Sequence, residues 1–217
     1  GKTTRILRST IFYDETKTTG NSMKIGGLQK TSLLDYPDHI SAIIWTIGCN
    51  FRCPFCYNIE LVEGTAKILP QTDILEFLST RKGLLEAVVI TGGEPFLQQD
   101  LESFLKKIKS MGFLIKIDTN GTNPSYLKKV LKKNLVDYIA MDVKAPLHKY
   151  SQVTGSDIDG KIIAESIKII QNEAPTYEFR TTVVPGLLTK KDIIEIPERL
   201  KGSKQYYLQK FKKSVML

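Results

Sequence analysis

No cysteine lies outside the short stretch from Cys49 to Cys56, and only two histidines, His39 and His148, and one tryptophan occur in the 217 residues. Three thiols packed that tightly, and odd in number, exclude a disulfide framework. Neither histidine stands at zinc-finger spacing from the cysteines, although a distant one could fold in as a fourth zinc ligand. Apolar runs are short of the roughly 18 residues that cross a bilayer. The start of the chain also lacks the charged, apolar and small-residue order of a signal peptide. A cytoplasmic protein without a membrane partner is the expectation.

Acidic residues are the scarcer charge: 23 Asp and Glu against 31 Lys and Arg leave a net +8. The lysines fall largely on helical faces, as in Lys106, Lys107, Lys109 and Lys128, Lys129, Lys132, Lys133. That pattern reads as solvated faces rather than a nucleic-acid groove, and it suits an acidic protein partner. Residues 1–22 are polar and without periodicity, and read as a tag-like or disordered leader. Residues 23–217 then form one domain.

Within that domain, β-rich runs alternate with stretches of helical period. A small hairpin is expected in Lys24–Leu34. Six strands follow at Ile40–Ile47, Ala87–Thr91, Phe113–Asp118, Tyr138–Val143, Tyr177–Val184 and Gln205–Phe211, with helices between them. This order predicts an α/β fold with a parallel sheet, either doubly wound or a complete or partial barrel. In each case the chemistry gathers beyond the carboxyl ends of the strands. Cys49, the run Gly92-Gly93-Glu94-Pro95, Asp118 with Asn120, Asp142 with Lys144, Arg180 and Gln209 all stand at or near such ends.

Cys49, Cys53 and Cys56 are spaced C-x3-C-x2-C. Iron–sulfur clusters usually take four cysteines, so three ligands and no fourth leave one iron open to another molecule. A zinc site completed by a histidine is the competing account. An ordinary tight turn would equally explain two adjacent glycines, and a helix start would explain Glu94. The cysteine loop and the glycine run taken together are what separate these readings.

Together they resemble the radical S-adenosylmethionine (SAM) superfamily, whose signature is C-x3-C-x-aromatic-C, with Phe55 in the aromatic slot, followed by a GGE motif. That resemblance implies a partial (βα)6 TIM-like barrel and a [4Fe–4S] cluster on Cys49, Cys53 and Cys56. It also implies S-adenosylmethionine chelating the open iron, the cofactor ammonium received by backbone and Glu94, and formation of a 5′-deoxyadenosyl radical that abstracts hydrogen. The stretches Leu28–Pro37, Gly48–Asn58 and Thr91–Pro95 are most similar to activating proteins of anaerobic ribonucleoside-triphosphate reductases. Those proteins install a glycyl radical on a partner and draw electrons from a flavodoxin or ferredoxin. By the same resemblance Asp118 and Asp142, with the backbone of Thr119 and Met141, lie near the cofactor carboxylate and hold a monovalent cation. Lys144 and Arg180 then contact the cofactor or the incoming glycine loop, and Asn120 belongs to the same site. Tyr57 stands where such enzymes usually carry His.

Four rivals remain open on the sequence. A small-molecule enzyme resembling 7-carboxy-7-deazaguanine synthase, or an activase of another glycyl-radical enzyme, would share these motifs. A zinc module would not need the GGE run. An RNA-binding protein would need aromatic residues interleaved with basic ones, for which Tyr206, Tyr207 and Phe211 are the candidates.

Overall fold

The computed structural model describes residues 23–212, so the leader reading for residues 1–22 lies outside the described residues. Seven strands form one sheet in sequential order. β1 (Ile25–Ser32) runs antiparallel to β2 (Ser41–Thr46). From β2 onward every pairing is parallel, through β3 (Ala87–Gly92), β4 (Leu114–Thr119), β5 (Tyr138–Asp142), β6 (Thr176–Val183) and β7 (Tyr206–Lys210). A doubly wound sheet reverses its strand order at a switch point. Here each crossover steps the same way, so the sheet curls into a partial TIM-like barrel with β1 and β7 at its two edges.

The helices are α1 (Ile59–Glu63) and α2 (Gln71–Ser79) before β3, α3 (Leu101–Ser110) before β4, and α4 (Pro124–Lys132) before β5. α5 (Tyr150–Thr154) and α6 (Gly160–Glu173) precede β6, and α7 (Lys190–Arg199) precedes β7. Among the described residues, no helix is long and apolar enough to cross a membrane.

Side-chain alternation divides the sheet into two environments. Ile44, Ile90, Ile117, Met141 and Phe179 face outward into the main core, against Phe104, Leu105, Leu127 and Ile167 of the helices. Ile43, Val89, Tyr138 and Ala140 face inward as a smaller apolar cluster. On β4 to β7 the inward positions turn polar: Lys116, Asp118, Asp142, Glu178, Arg180, Thr182 and Gln209. The connection between β1 and β2 closes the lower end of this lumen. Tyr36 is buried there, its ring edge-on to Tyr138 at 5.6 Å and to His39 at 5.1 Å. Lys116 Nζ donates to the Asp35 carbonyl at 2.7 Å and so ties this plug to the sheet.

Two expectations need correction. Residues 24–34 do not form a hairpin of their own. Ile25–Ser32 form the single strand β1, paired with β2, and Gly26-Gly27 stands at a register shift between Ile25 and Gly27 rather than at a turn. The sheet accordingly has seven strands, one more than the six-strand count. The short helices α1 and α5 also escaped the sequence pattern, because five residues are too few to display a helical period.

Tyr36→Ala would leave the lower lumen unfilled. Truncation of a buried aromatic costs about 3–5 kcal/mol, so the urea midpoint should fall well below that of the wild type. An unchanged midpoint would mean that the plug does not support the barrel.

Candidate active site

The loop from Gly48 to Asn58 leaves the carboxyl end of β2 and is pinned from three sides. From β3, Glu94 N donates to Gly48 O at 2.8 Å and Gly93 N to Thr46 O at 2.9 Å. A Cβ on Gly93 would stand 2.0 Å from Gly48 O, so only glycine permits this approach. From α5, Arg52 N donates to Thr154 O at 2.8 Å, Ser156 Oγ donates to Asn50 O at 2.9 Å, and the Phe51 ring meets Tyr150 at 6.2 Å. From the turn after β4, Asn120 Nδ2 donates to Asn50 Oδ1 and Asn50 Nδ2 to Thr122 Oγ1, both at 2.9 Å.

Cys49, Cys53 and Cys56 line one cavity of about 260 Å³ together with Phe55, Gly92, Gly93, Asp118, Asn120, Asp142, Lys144, Arg180, Thr182 and Gln209. Burial pushes the Cys53 thiol up to about 11, against the pull of Lys144, and it raises Cys49 as well. Both are therefore held as thiols near neutrality, and a metal that ligates them must displace their protons. Among the described residues, no three His, Cys, Asp or Glu side chains converge on a single-ion site. Neither histidine lines the cysteine cavity: His39 meets Glu86 at 3.4 Å and His148 meets Glu195 at 3.5 Å.

Charges along the lumen compensate one another. Arg180 reaches Asp118 Oδ2 at 3.2 Å with Nη1 and Asp142 Oδ1 at 2.9 Å with Nε, while Lys144 Nζ donates to Asp142 Oδ2 at 2.8 Å. Lower down, Lys116 meets Glu178 at 3.3 Å. Burial alone would raise the Asp142 carboxyl, but Arg180 and Lys144 outweigh it and hold the group well below the usual range. Burial likewise opposes the charge of Lys144, and Asp142 restores it.

A model of the radical SAM superfamily matches residues 43–200, which include every strand from β3 to β6 and the whole cysteine loop. The chain belongs to the radical SAM superfamily. This radical SAM protein is 34% identical over 196 residues to a Methanocaldococcus jannaschii protein provisionally named as a glycyl-radical enzyme activating enzyme, covering 86% of this chain and 79% of that one. It is 34% identical over 82 residues to 7-carboxy-7-deazaguanine synthase of Aquifex aeolicus, covering 38% and 36% of the two chains. Its fold superposes on native anSMEcpe with bound AdoMet at a TM-score of 0.60 and 15% identity, covering 76% of this chain and 49% of that structure.

The family implies a [4Fe–4S] cluster and SAM, and the residues present fit both. A cubane takes one thiolate at each of three separate irons, so its ligands surround it and need not meet at a point. Asp118 lines the cavity that holds the three thiols, and its buried Oδ1 makes no hydrogen bond, with the Lys116 ammonium 3.8 Å away. An orphaned buried carboxylate oxygen is costly unless a donor arrives, and an ammonium is such a donor.

Glu94 departs from the expectation that it receives that ammonium. Its carboxylate is 1% exposed and does not line the cavity. It accepts instead from Phe96 N at 3.1 Å, Thr119 Oγ1 at 2.8 Å and Asn120 N at 2.7 Å. Glu94 therefore binds the end of β4 to the end of β3. Asp118 and Asp142, expected to hold a monovalent cation, are both engaged by resident cations.

Tyr57 is 46% exposed and stacks on Phe211 at 6.0 Å. Its hydroxyl donates to the Lys212 carbonyl and accepts from Lys212 N at 2.9 Å, tying the cysteine loop to the chain beyond β7. The sequence marked Tyr57 as unusual but gave no sign of this partner. Asn50, Thr122 and Ser156 were missed because a single side-chain clamp leaves no periodic trace. Of the three aromatic candidates for an RNA platform, Tyr206 packs on the core and Phe211 on Tyr57, which leaves Tyr207 as the exposed one. Lys106, Lys129 and Lys133 converge on Glu102 as the solvated-face reading expects.

Burial raises Glu94 from 4.5 to about 7, against its three donors. The fold thus favours the protonated carboxyl. The stability this group contributes is complete below about pH 4.5 and is lost as pH rises through about 7. Across that window the unfolding free energy of the wild type should fall by roughly 3 kcal/mol relative to Glu94→Gln. Urea titrations at a series of pH values measure it, and parallel profiles would refute it.

Proposed function

We propose that this radical SAM enzyme is an activating enzyme that generates a glycyl radical on anaerobic ribonucleoside-triphosphate reductase. The observation that carries the activating-enzyme reading is the likeness to the Methanocaldococcus relative over 86% of this chain, against 38% for the deazaguanine synthase; the choice of the reductase rests on the resemblance of Leu28–Pro37, Gly48–Asn58 and Thr91–Pro95. The open barrel supports it: among the described residues β1 and β7 are edge strands that do not pair with each other, and entry of a polypeptide loop needs a barrel open on one side. Three cysteines leave none for an auxiliary cluster.

In this reading Cys49, Cys53 and Cys56 ligate three irons of the cluster. When bound, the cluster and SAM supply a carbon-centred radical able to abstract a hydrogen atom from an unactivated C–H bond. The protein's part is placement. Asp118 Oδ1 accepts the cofactor ammonium, Gly92 and Gly93 bring the backbone close to it, and Lys144 and Arg180 balance the carboxylates at the mouth. Phe51 and Phe55 help to keep water from the cavity floor. A reduced flavodoxin or ferredoxin, acidic where this chain is basic, is the proposed electron donor, and the cytoplasm is the proposed setting.

Asp118→Asn keeps the shape but gives up a charged acceptor. Hydrogen bonds to charged groups are worth about 1.5–3 kcal/mol, so SAM affinity of the cluster-loaded protein should fall roughly ten- to a hundredfold. Equilibrium binding at fixed cluster content measures this, and wild-type affinity would remove Asp118 from the site.

The functional assignment is tested by incubating the reduced protein with SAM and an anaerobic reductase, then recording the EPR spectrum. A glycyl-radical doublet on the reductase is the expected result. No doublet, together with turnover of a pterin-like substrate, would contradict the proposal in favour of a small-molecule enzyme.

A further inference from the structure

We infer that Asn120 sets the reduction potential of the cluster by donating a hydrogen bond to the Cys49 sulfur, with Asn50 and Thr122 locking its amide in the donating orientation. The inference rests on the cluster and holds whatever the substrate.

Two N–H groups approach Cys49 Sγ: the backbone of Phe51 at 3.4 Å and Asn120 Nδ2 at 4.0 Å. Among the described residues, these are the N–H···S contacts to the cysteines. The Asn120 contact is 0.6 Å longer than that of Phe51, but its direction is fixed. Asn120 Oδ1 accepts from Thr122 N at 3.0 Å and Thr122 Oγ1 at 2.7 Å, while Nδ2 also donates to Asn50 Oδ1 at 2.9 Å. Asn50 Nδ2 in turn donates to Thr122 Oγ1 at 2.9 Å. The three side chains close a ring in which every donor meets an acceptor. Flipping the Asn120 amide would set donor against donor at Thr122 and acceptor against acceptor at Asn50, so the amide nitrogen stays on the sulfur side.

The backbone supporting this amide is equally constrained, because Asn120 N donates to the buried Glu94 carboxylate at 2.7 Å. The GGE run thus acts through Asn120 on a cysteine ligand. The physical consequence follows from charge. One electron taken from dithionite enters the cluster with no bond made or broken, and negative charge on the ligating sulfurs increases. A donor at sulfur then stabilises the reduced form more than the oxidised one and raises the potential. Asn120 is a positioning and tuning residue in this account, since it touches a ligand and not the reacting carbon.

The test is a redox titration of the anaerobically reconstituted protein, followed by the EPR signal of the reduced cluster. Asn120→Ala removes the donor, Thr122→Val removes the hydroxyl from the ring and loosens the amide while the backbone N–H of residue 122 still holds Oδ1, and Ser156→Ala loosens the same loop at Asn50 O without touching the amide. Asn120→Ala should lower the reduced-to-oxidised ratio at fixed poise about tenfold, a fall of about 59 mV for one electron. Thr122→Val should move it the same way by less, and Ser156→Ala should leave it in place. A wild-type potential in Asn120→Ala with full iron content would overturn the inference, as would an equal fall in Ser156→Ala. Should Asn120→Ala fail to hold four irons, Asn120→Leu, which fills the same space without a donor, takes its place: a lowered potential supports the tuning role and an unchanged one refutes it.

Discussion

The close approach of the β3 end to the β2 end is the contact on which the rest of the site depends. Gly93 lies against the Gly48 carbonyl at a separation that no side chain tolerates, and Glu94 N completes the joint with a 2.8 Å hydrogen bond. The Glu94 side chain then turns away from the cavity and takes hold of Thr119 and Asn120 at the end of β4. Three neighbouring strand ends are fixed relative to one another by four consecutive residues, Gly92 to Pro95. The cysteine loop inherits its position from that joint, and the Asn120 amide inherits its direction.

A second constraint is electrostatic. Three carboxylates, Asp118, Asp142 and Glu178, share the inner face of the barrel with Lys116, Arg180 and Lys144. Unpaired, any one of them would be expensive to bury. The observed contacts satisfy the group as a network, with Arg180 as its hub between Asp118, Asp142 and Glu178. The oxygen the network holds least closely is Asp118 Oδ1, which makes no hydrogen bond and has the Lys116 ammonium 3.8 Å away, on a residue that lines the cavity of the three thiols. That residue of unsatisfied hydrogen-bonding capacity is the most direct mark of a cationic ligand in the cavity. It also gives the lower lumen a role, because Lys116 joins the network to the Asp35 carbonyl in the plug beneath it.

Much of this was legible in the sequence because it is periodic or local. The parallel strands and long helices follow from alternation and helical period. The cysteine spacing and the GGE run declare their chemistry within a few residues, and Asp118, Asp142, Lys144 and Arg180 could be placed at strand ends by counting. Contacts between distant positions were not legible. The direction of the Glu94 carboxylate depends on Thr119 and Asn120 lying under it, which no local pattern encodes. The pairing of Arg180 with two acids on different strands depends on register across β4, β5 and β6. β1 is not part of a local hairpin because its pairing partner is β2, beyond the plug, a long-range choice that the residues of Lys24–Leu34 do not encode. Tyr57 stood out by its identity, but its partner lies at the far end of the chain.

The proposed chemistry depends on three thiolates that hold a cluster with one iron left for SAM. The most direct measurement is anaerobic reconstitution with iron and sulfide, dithionite reduction, and assay for 5′-deoxyadenosine from SAM, with Cys53→Ala beside the wild type. The account requires a brown wild-type protein that forms deoxyadenosine and a Cys53→Ala variant that does not. A colourless wild type that retains zinc and forms none would contradict it.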